Sequence, residues 1–236
     1  MRQLTPRVYG ILKYGSLLNV YIIRNGSDLT LVDAGVTGFA SSIEQAITAL
    51  GATWADIKTI FLTHAHIDHL GDLVNVQKKT NATTLVHRLD AAVTRGQQPV
   101  PKPDLNTLPF FSRMIMKTMS EQIFSPARVD RELNGDETLN EIAPGAKVIA
   151  LPGHSYGQVG LWLSDERTLI AGDMLVNYPI GGLSMPPRPF TVDWVQTKQT
   201  IKQTAQMDIK NLMIGHGVPL IGNASDKLRA FAGRLS

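Results

Sequence analysis

Short apolar runs separated by turn residues fill the first ninety positions of the chain. This pattern predicts strands at 7–14, 19–25, 29–35, 58–63 and 82–87. The tetrapeptide Asn25-Gly26-Ser27-Asp28 is typical of a hairpin turn between the second and third strands. Apolar residues at helical spacing predict helices over 38–50 and 70–80, and Gly51 is expected to end the first of them.

The pattern changes over 95–127, where four prolines precede a segment rich in phenylalanine and methionine. We expect an irregular connection and one helix there, with a lid over a binding site as its candidate role. After Asp136 the pattern predicts strands at 146–153, 158–164, 167–173 and 211–217 and helices at 192–206 and 224–234. Strands and helices in this order predict a layered α/β fold, with sheets at the centre of a single domain over 1–236.

Composition narrows the class of protein. The 236 residues, 43% hydrophobic and 18% charged, are enough for a sizeable buried core. The chain has no cysteine, which excludes disulfides, thiolate zinc sites and cysteine nucleophiles. The formal charge of +3 comes without a basic cluster interleaved with aromatic residues, so we expect no nucleic-acid partner.

The first residues lack the apolar core of a signal peptide. No apolar run approaches the ~18 residues that a membrane-spanning helix needs. We therefore expect a cytoplasmic protein without a membrane partner.

Half of the histidines crowd into one short segment. The chain has six, and LTHAHIDHLGD holds His64, His66 and His69 with Asp68 between them. In an extended turn His64 and His66 point the same way, with Asp68 and His69 on a neighbouring side. Three more residues of metal-binding type follow predicted strands: His154, Asp173 and His216. Imidazole and carboxylate bind divalent metals, so ligands gathered at strand ends predict a metal site on a rigid platform.

The stretch PGHSYGQVG permits a different interpretation, because it matches the G-x-S-x-G pattern around a serine nucleophile. Ser155, then Asp173 or Asp193, then His216 follow the chain order of an α/β-hydrolase triad. A nucleophile elbow leads into a helix, whereas the residues after Ser155 alternate with the period of a strand. Ser155 as the nucleophile is the remote alternative.

The combined motif resembles the metallo-β-lactamase-fold hydrolase superfamily over nearly the whole chain. It comprises HAHIDH at 64–69, Pro-Gly-His at 152–154, Gly-Asp at 172–173 and Gly-His-Gly at 215–217. The resemblance implies a four-layer αββα sandwich with a dinuclear site at one edge of the two sheets. It also implies the ligands of each ion: His64, His66, His154 and Asp173 for metal one, and Asp68, His69, His216 and Asp173 for metal two.

The resemblance implies a hydrolase in which a hydroxide shared by two divalent ions cleaves an ester, lactone, thioester or phosphoester. Zinc is the first expectation, with iron or manganese as alternatives, and Asp68 would orient the hydroxide. An iron-dependent thiol or persulfide oxygenase on the same fold is the main alternative function. Hydrolysis of β-lactams is not expected, because those members lack the bridging aspartate that Asp173 matches.

Other residues are assigned less specific roles. Within the superfamily the pattern is similar to glyoxalase II and to lactonases, whose catalytic tyrosine matches Val176, so Tyr178 is the candidate substitute. Asp33 is expected to support a ligand loop through hydrogen bonds or to cap a turn. His87 is expected to have a structural or near-site role and not to bind metal. Arg188 is a candidate contact for an anionic group of a small-molecule substrate. The apolar residues of 99–120 would form a lid or a homodimer contact.

Overall fold

The computed structural model describes residues 1–111, 113–114 and 124–235. In these residues a seven-stranded sheet has its strands in chain order, β1 to β7. Its first strands pair antiparallel, and those from β4 onward pair parallel. The seven strands are β1 (Arg2–Gln3), β2 (Val8–Lys13), β3 (Leu18–Asn25), β4 (Asp28–Val32), β5 (Ile57–Phe61), β6 (Thr83–His87) and β7 (Arg131–Leu133).

The second half of the chain contributes the other strands. A four-stranded sheet has the order β13-β10-β9-β8, and a separate hairpin pairs β11 with β12. These strands are β8 (Lys147–Ala150), β9 (Val159–Leu163), β10 (Thr168–Ile170), β11 (Val176–Tyr178), β12 (Gly182–Ser184) and β13 (Asn211–Met213). The helices are α1 (Ala40–Ala49), α2 (Ile67–Leu70), α3 (Leu73–Lys79), α4 (Arg88–Thr94), α5 (Trp194–Thr204) and α6 (Ala224–Ala232).

Alternating side chains place the seven-stranded sheet between two apolar layers. On β3, Val20 and Ile22 pack with Ile43 and Ile47 of α1, whereas Tyr21 on the other face packs toward the second sheet. Successive side chains of a strand point to opposite faces, so both faces of this apolar strand are buried.

The second sheet repeats this arrangement. On β10, Ile170 joins the layer between the sheets, whereas Leu169 packs with Ile201 of α5 and Leu228 of α6. The order is helices, sheet, sheet, helices, which confirms the predicted four-layer αββα sandwich.

Most of the predicted elements are confirmed, and several others were not predicted. The predicted hairpin turn joins β3 to β4, and Asn25 pairs with Asp28 across it. Gly51 follows the end of α1 with a φ of 70°. The apolar pattern does not predict β1, β7, the β11–β12 hairpin, or α4. In the predicted helix after Pro109, residues 110, 111, 113 and 114 are helical, and the rest of it lies outside the described residues.

Across the described part of the chain, the helices are too short or too polar to cross a lipid bilayer.

Candidate metal centre

Three strands of the second sheet point the same way and end beside the candidate ligands. β8 and β10 both run antiparallel to β9, and β10 runs parallel to β13. The loops that follow them carry His154, Asp173 and His216. The loop after β5 in the other sheet brings residues 64–69 to the same edge. The strand ends therefore bring together all seven residues that the sequence singled out.

One group consists of three buried imidazoles. Ligand-type nitrogens of His64, His66 and His154 all lie within 4.8 Å of one another. The ring centroids of His66 and His154 are 4.6 Å apart, as are those of His64 and His66. His66 has an extended backbone immediately before α2, so His64 and His66 lie on the same side, as the sequence predicted.

A second group combines two carboxylates with two imidazoles. The first turn of α2 carries Asp68 and His69, and Nε2 of His216 lies 3.0 Å from Oδ2 of Asp68. Asp173 is central: its Oδ2 lies 3.1 Å from Nε2 of His216, and its Oδ1 lies 3.4 Å from Nε2 of His69. The same Oδ2 is 3.5 Å from Nε2 of His154, so Asp173 also adjoins the first group.

Hydrogen bonds at Nδ1 orient the imidazoles of the second group. Nδ1 of His69 donates to Oδ2 of Asp33 at 2.8 Å, and Nδ1 of His216 donates to the carbonyl of Leu17 at 2.5 Å. Asp33 also accepts bonds from the backbone N–H and the hydroxyl of Thr63, at 2.8 and 2.9 Å. These bonds confirm the predicted supporting role of Asp33, which has a positive φ of 65° in the turn.

Two threonine hydroxyls orient the first group. The hydroxyl hydrogen of Thr63 is donated to Asp33, so its oxygen accepts from Nδ1 of His64 at 3.0 Å. Thr191 likewise donates to the carbonyl of Pro187 and accepts from Nδ1 of His154 at 3.3 Å. With the proton held at Nδ1, the lone pair of each ring is on Nε2, which turns toward the other ligands.

The inward-facing atoms fit a metal. Nε2 of His64, His69 and His154 and Oδ1 of Asp173 are buried without a hydrogen-bond partner among the described residues. Leaving buried polar atoms unpaired costs about 1–3 kcal/mol each. A divalent cation would accept these nitrogen and oxygen lone pairs together. The chemistry of the donor set therefore matches divalent metal ions.

Burial and charge set different protonation in the two groups. Burial lowers the pKa of His154 to about 3, and it also lowers the pKa of His64 and His66. These rings are therefore neutral at pH 7, the form in which imidazole binds metals. Burial also lowers the pKa of His216, but Asp173 and Asp68 outweigh it and raise that pKa to about 12. The second group therefore favours a positive charge at its centre.

The loop that carries His216 is anchored by β3. The hydroxyl of Tyr21 donates to the carbonyl of Ile214 at 2.6 Å. The side-chain amide of Asn19 donates to the same carbonyl at 2.9 Å and to that of Gly217 at 2.7 Å. Sequence reasoning missed both residues, although two polar groups in an apolar strand were the available signal.

Gly215 is required by the close packing of the second group. A Cβ at this position would lie 2.1 Å from Oδ1 of Asp173 and 2.7 Å from Cε1 of His69. The Gly215 N–H donates to Gly172 at 3.0 Å, and its carbonyl accepts from the N–H of Asn19 at 2.9 Å. The backbone is therefore held where only hydrogen fits.

Ser155 is not arranged as a nucleophile. Its hydroxyl donates to Oδ2 of Asp90 at 3.0 Å, and strand β9 follows where a nucleophile elbow needs a helix. The serine interpretation is therefore wrong. Sequence reasoning missed Asp90, because a single aspartate in LVHRLDA resembles an ordinary surface residue of a helix.

Other residues singled out by the sequence lie nearby in the fold. Tyr178 is half-buried on β11, next to Asn177, which pairs with Gly217 of the His216 loop. Arg188 donates to the carbonyl of Thr107 at 2.7 Å and stacks over the ring of Trp194. It therefore links the segment that follows β12 to the candidate lid at 95–127. His87 caps α4 by accepting from the N–H of Leu89, which supports its structural role.

Comparisons with known proteins agree with this fold. A probable metallo-hydrolase of Bacillus subtilis, YflN, is 27% identical over 242 aligned residues, which cover 93% of this chain and 88% of the relative. The crystal structure of a metallo-beta-lactamase family protein from Thermus thermophilus has a TM-score of 0.70 at 22% identity, covering 98% of this chain and 81% of the other. BJP-1, a subclass B3 metallo-beta-lactamase of Bradyrhizobium japonicum, has a TM-score of 0.71 at 23% identity, covering 99% and 89%.

The chain matches the family model of the metallo-beta-lactamase superfamily over residues 15–216. It therefore belongs to that superfamily, and its described residues include two His/Asp clusters that could hold metal ions. At identities below 25% the two crystal structures establish a shared fold. The β-lactam substrate named for BJP-1 is a property of that protein alone.

Proposed function

We propose that this protein is a hydrolase that binds two divalent metal ions, zinc in the first place, and cleaves an ester, lactone, thioester or phosphoester. His64, His66 and His154 would hold one ion, Asp68, His69 and His216 the other, and Asp173 both. The observation that supports this most strongly is that the unpaired buried Nε2 atoms of His69 and His154 both lie within 3.5 Å of the Asp173 carboxylate.

The residues of the chain have distinct roles in this proposal. Two divalent ions held there would lower the pKa of a water and polarise a substrate carbonyl or phosphoryl oxygen. Asp68, only partly buried, would orient the attacking water. Tyr178 is assigned the hydrogen bond to the substrate oxygen, because its strand adjoins the His216 loop.

The surroundings of the ligands favour a substrate with an apolar group. Leu17, whose carbonyl bonds His216, is 52% exposed, and Val218, two residues after His216, is 39% exposed. Tyr156, two residues after His154, is 52% exposed. Arg188 is engaged with Thr107 and Trp194, which argues against its predicted contact with an anionic group. Burying one methylene contributes about 0.8 kcal/mol, so kcat/KM should rise by up to roughly fourfold for each carbon added to an acyl chain.

A substrate panel with metal analysis tests the proposal. Lactones, thioesters, acyl esters, phosphodiesters and β-lactams are incubated with the protein before and after exhaustive chelation and after zinc is restored. We expect hydrolysis of a carbonyl or phosphate ester that chelation abolishes and zinc restores, with two metal ions per chain by elemental analysis. Full activity in the metal-free protein would refute the proposal. Iron in the purified protein together with oxygen-dependent oxidation of a persulfide would favour the oxygenase instead.

Replacing Ser155 with alanine separates the proposed mechanism from nucleophilic serine catalysis. The variant loses one hydrogen bond to Asp90, worth about 0.5–1.5 kcal/mol, so we expect it to keep at least about a tenth of the activity. Loss of a catalytic serine lowers kcat by roughly a millionfold in a serine protease. Measured kcat values for Ser155→Ala and for the unmodified protein distinguish these outcomes, and a loss beyond a thousandfold would contradict our assignment.

A further inference from the structure

A buried carboxylate on α4 receives three hydrogen bonds from two separate loops. Oδ2 of Asp90 accepts from the backbone N–H of Ala65 at 2.9 Å and from the hydroxyl of Ser155 at 3.0 Å. Its Oδ1 accepts from the backbone N–H of Gly157 at 3.0 Å. Asp90 is only 2% exposed, so these bonds are shielded from water.

The two loops are those that carry the three imidazoles of the first group. Ala65 stands between His64 and His66, so a bond to its N–H fixes the peptide from which both neighbouring rings project. Ser155 directly follows His154, and Gly157 closes the same turn. One carboxylate therefore sets the spacing between the His64–His66 pair and His154.

We propose that Asp90 is a positioning residue that holds His64, His66 and His154 in metal-binding geometry by tying their two loops together. This inference rests on the proposed function, in which those three residues bind one ion. Asp90 does not touch the ion, and its effect passes through the backbone of Ala65 and Gly157 and the hydroxyl of Ser155. The carboxylate also places a negative charge beside a group whose own three ligands are neutral.

The packing around Gly157 shows how closely the carboxylate is enclosed. A Cβ on Gly157 would lie 2.4 Å from Oδ1 and 2.6 Å from Cγ of Asp90. The glycine is therefore needed for the approach of the carboxylate, and Ser155 is needed as a donor. This accounts for the serine and second glycine of the G-x-S-x-G match without a nucleophile.

The second group has a different carboxylate support. Asp33 bonds directly to His69, and the Leu17 carbonyl bonds His216, whereas the three donors to Asp90 all lie in the loops of the first group. Loss of Asp90 should therefore weaken the two groups unequally. That inequality distinguishes positioning from general destabilisation of the fold.

Zinc titration followed by histidine side-chain nitrogen NMR tests this prediction. Of the six histidines, three belong to the first group, two to the second, and His87 to neither. Both carboxylate oxygens of Asp90 accept hydrogen bonds, and the side chain is buried. In Asp90→Asn, whichever oxygen is replaced by N–H₂, the amide therefore faces a donor and loses that hydrogen bond. Partners that orient ligands contribute roughly 10–100-fold to metal affinity. We expect His64, His66 and His154 to respond at zinc concentrations higher by that factor, while His69 and His216 respond as in the unmodified protein.

Asp72→Asn is the matched control. Asp72 is equally buried, at 1% exposed, and accepts from the N–H of Ala40 at 2.5 Å and from the side chain of Asn75 at 2.7 Å. These partners lie outside both ligand loops. This variant should therefore lower the melting temperature while the histidines of the two groups respond to the same zinc concentrations as in the unmodified protein. If Asp90→Asn does not fold, Ser155→Ala takes its place, with the same selectivity and an effect of up to about tenfold for one lost hydrogen bond.

The possible results are distinct. Unchanged affinity in both groups, or equal weakening of both, in the folded variant would overturn the role of Asp90. Failure of the unmodified protein to bind zinc at either group would instead overturn the proposed function, and this inference with it. Selective weakening of the first group supports both.

Discussion

Asp173→Asn should reduce hydrolysis by more than about 100-fold, because even the outer partners of metal ligands are worth roughly 10–100-fold and Asp173 adjoins both groups. Its carboxylate oxygens lie 3.1–3.5 Å from Nε2 of His69, His154 and His216. The amide has the same shape but only one oxygen, and its N–H₂ would point at a ligand nitrogen or at an ion. We therefore expect the variant to bind fewer metal ions per chain and to lose activity together with them.

Elemental analysis and kcat/KM on the same preparation check this result. Asp226→Asn is the matched control, because its carboxyl is 85% exposed on α6. That variant should retain both metal and activity. An Asp173→Asn protein that still holds two ions and hydrolyses at the unmodified rate would show that Asp173 is not the shared ligand.

Gly215→Ala should disable the second group through a single methyl. The new Cβ would lie 2.1 Å from Oδ1 of Asp173, a distance at which something must move. The backbone is held by bonds to Gly172 and Asn19, so Asp173 and His69 are the groups that must shift. Overpacking of this kind typically costs about 1–3 kcal/mol. Metal–ligand distances tolerate only about 0.2 Å of error. Metal binding at His69 and His216 should therefore be lost although the protein still folds.

Thermal unfolding and zinc titration measure the two effects separately. We expect a modest fall in melting temperature together with loss of one zinc ion and most of the activity. Gly233→Ala is the control, because its Cβ would meet Arg229 at an ordinary 3.4 Å. If Gly215→Ala bound zinc and hydrolysed substrate normally, the tight packing described around Asp173 would be refuted.

Elements whose pattern is long and local were predictable. α1 buries one apolar face of helical period, and β3 is a continuous apolar run, so the type and extent of both could be predicted from the local pattern. β7, β11 and β12 have only three residues each and are partly exposed, whereas the equally short β10 and β13 are buried throughout and were predictable from their apolar residues. The three strands β7, β11 and β12 form because neighbouring strands supply their backbone hydrogen bonds, and such pairing cannot be predicted from the local sequence.

The candidate ligands were predictable for a different reason. Imidazoles crowded as closely as in residues 64–69 have few other uses, and each remaining candidate follows a predicted strand. The supporting residues were not predictable in the same way. Asp90 is 25 residues from Ala65 and 67 from Gly157, and its partners are mostly backbone N–H groups, which every sequence contains.

The sequence by itself determined a layered α/β order and the chemistry of the ligands, because these depend on residue type and on periods within single elements. The αββα sandwich and the superfamily followed from the resemblance of its combined motif. The tertiary structure decided which atoms meet. It oriented Nε2 of four of the five ligand imidazoles inward by holding Nδ1 with Thr63, Asp33, Thr191 and Leu17. It also directed the hydroxyl of Ser155 into a hydrogen bond with Asp90, where it does not face a substrate. Such contacts depend on how distant loops converge once both sheets have packed, and that convergence is a property of the whole fold.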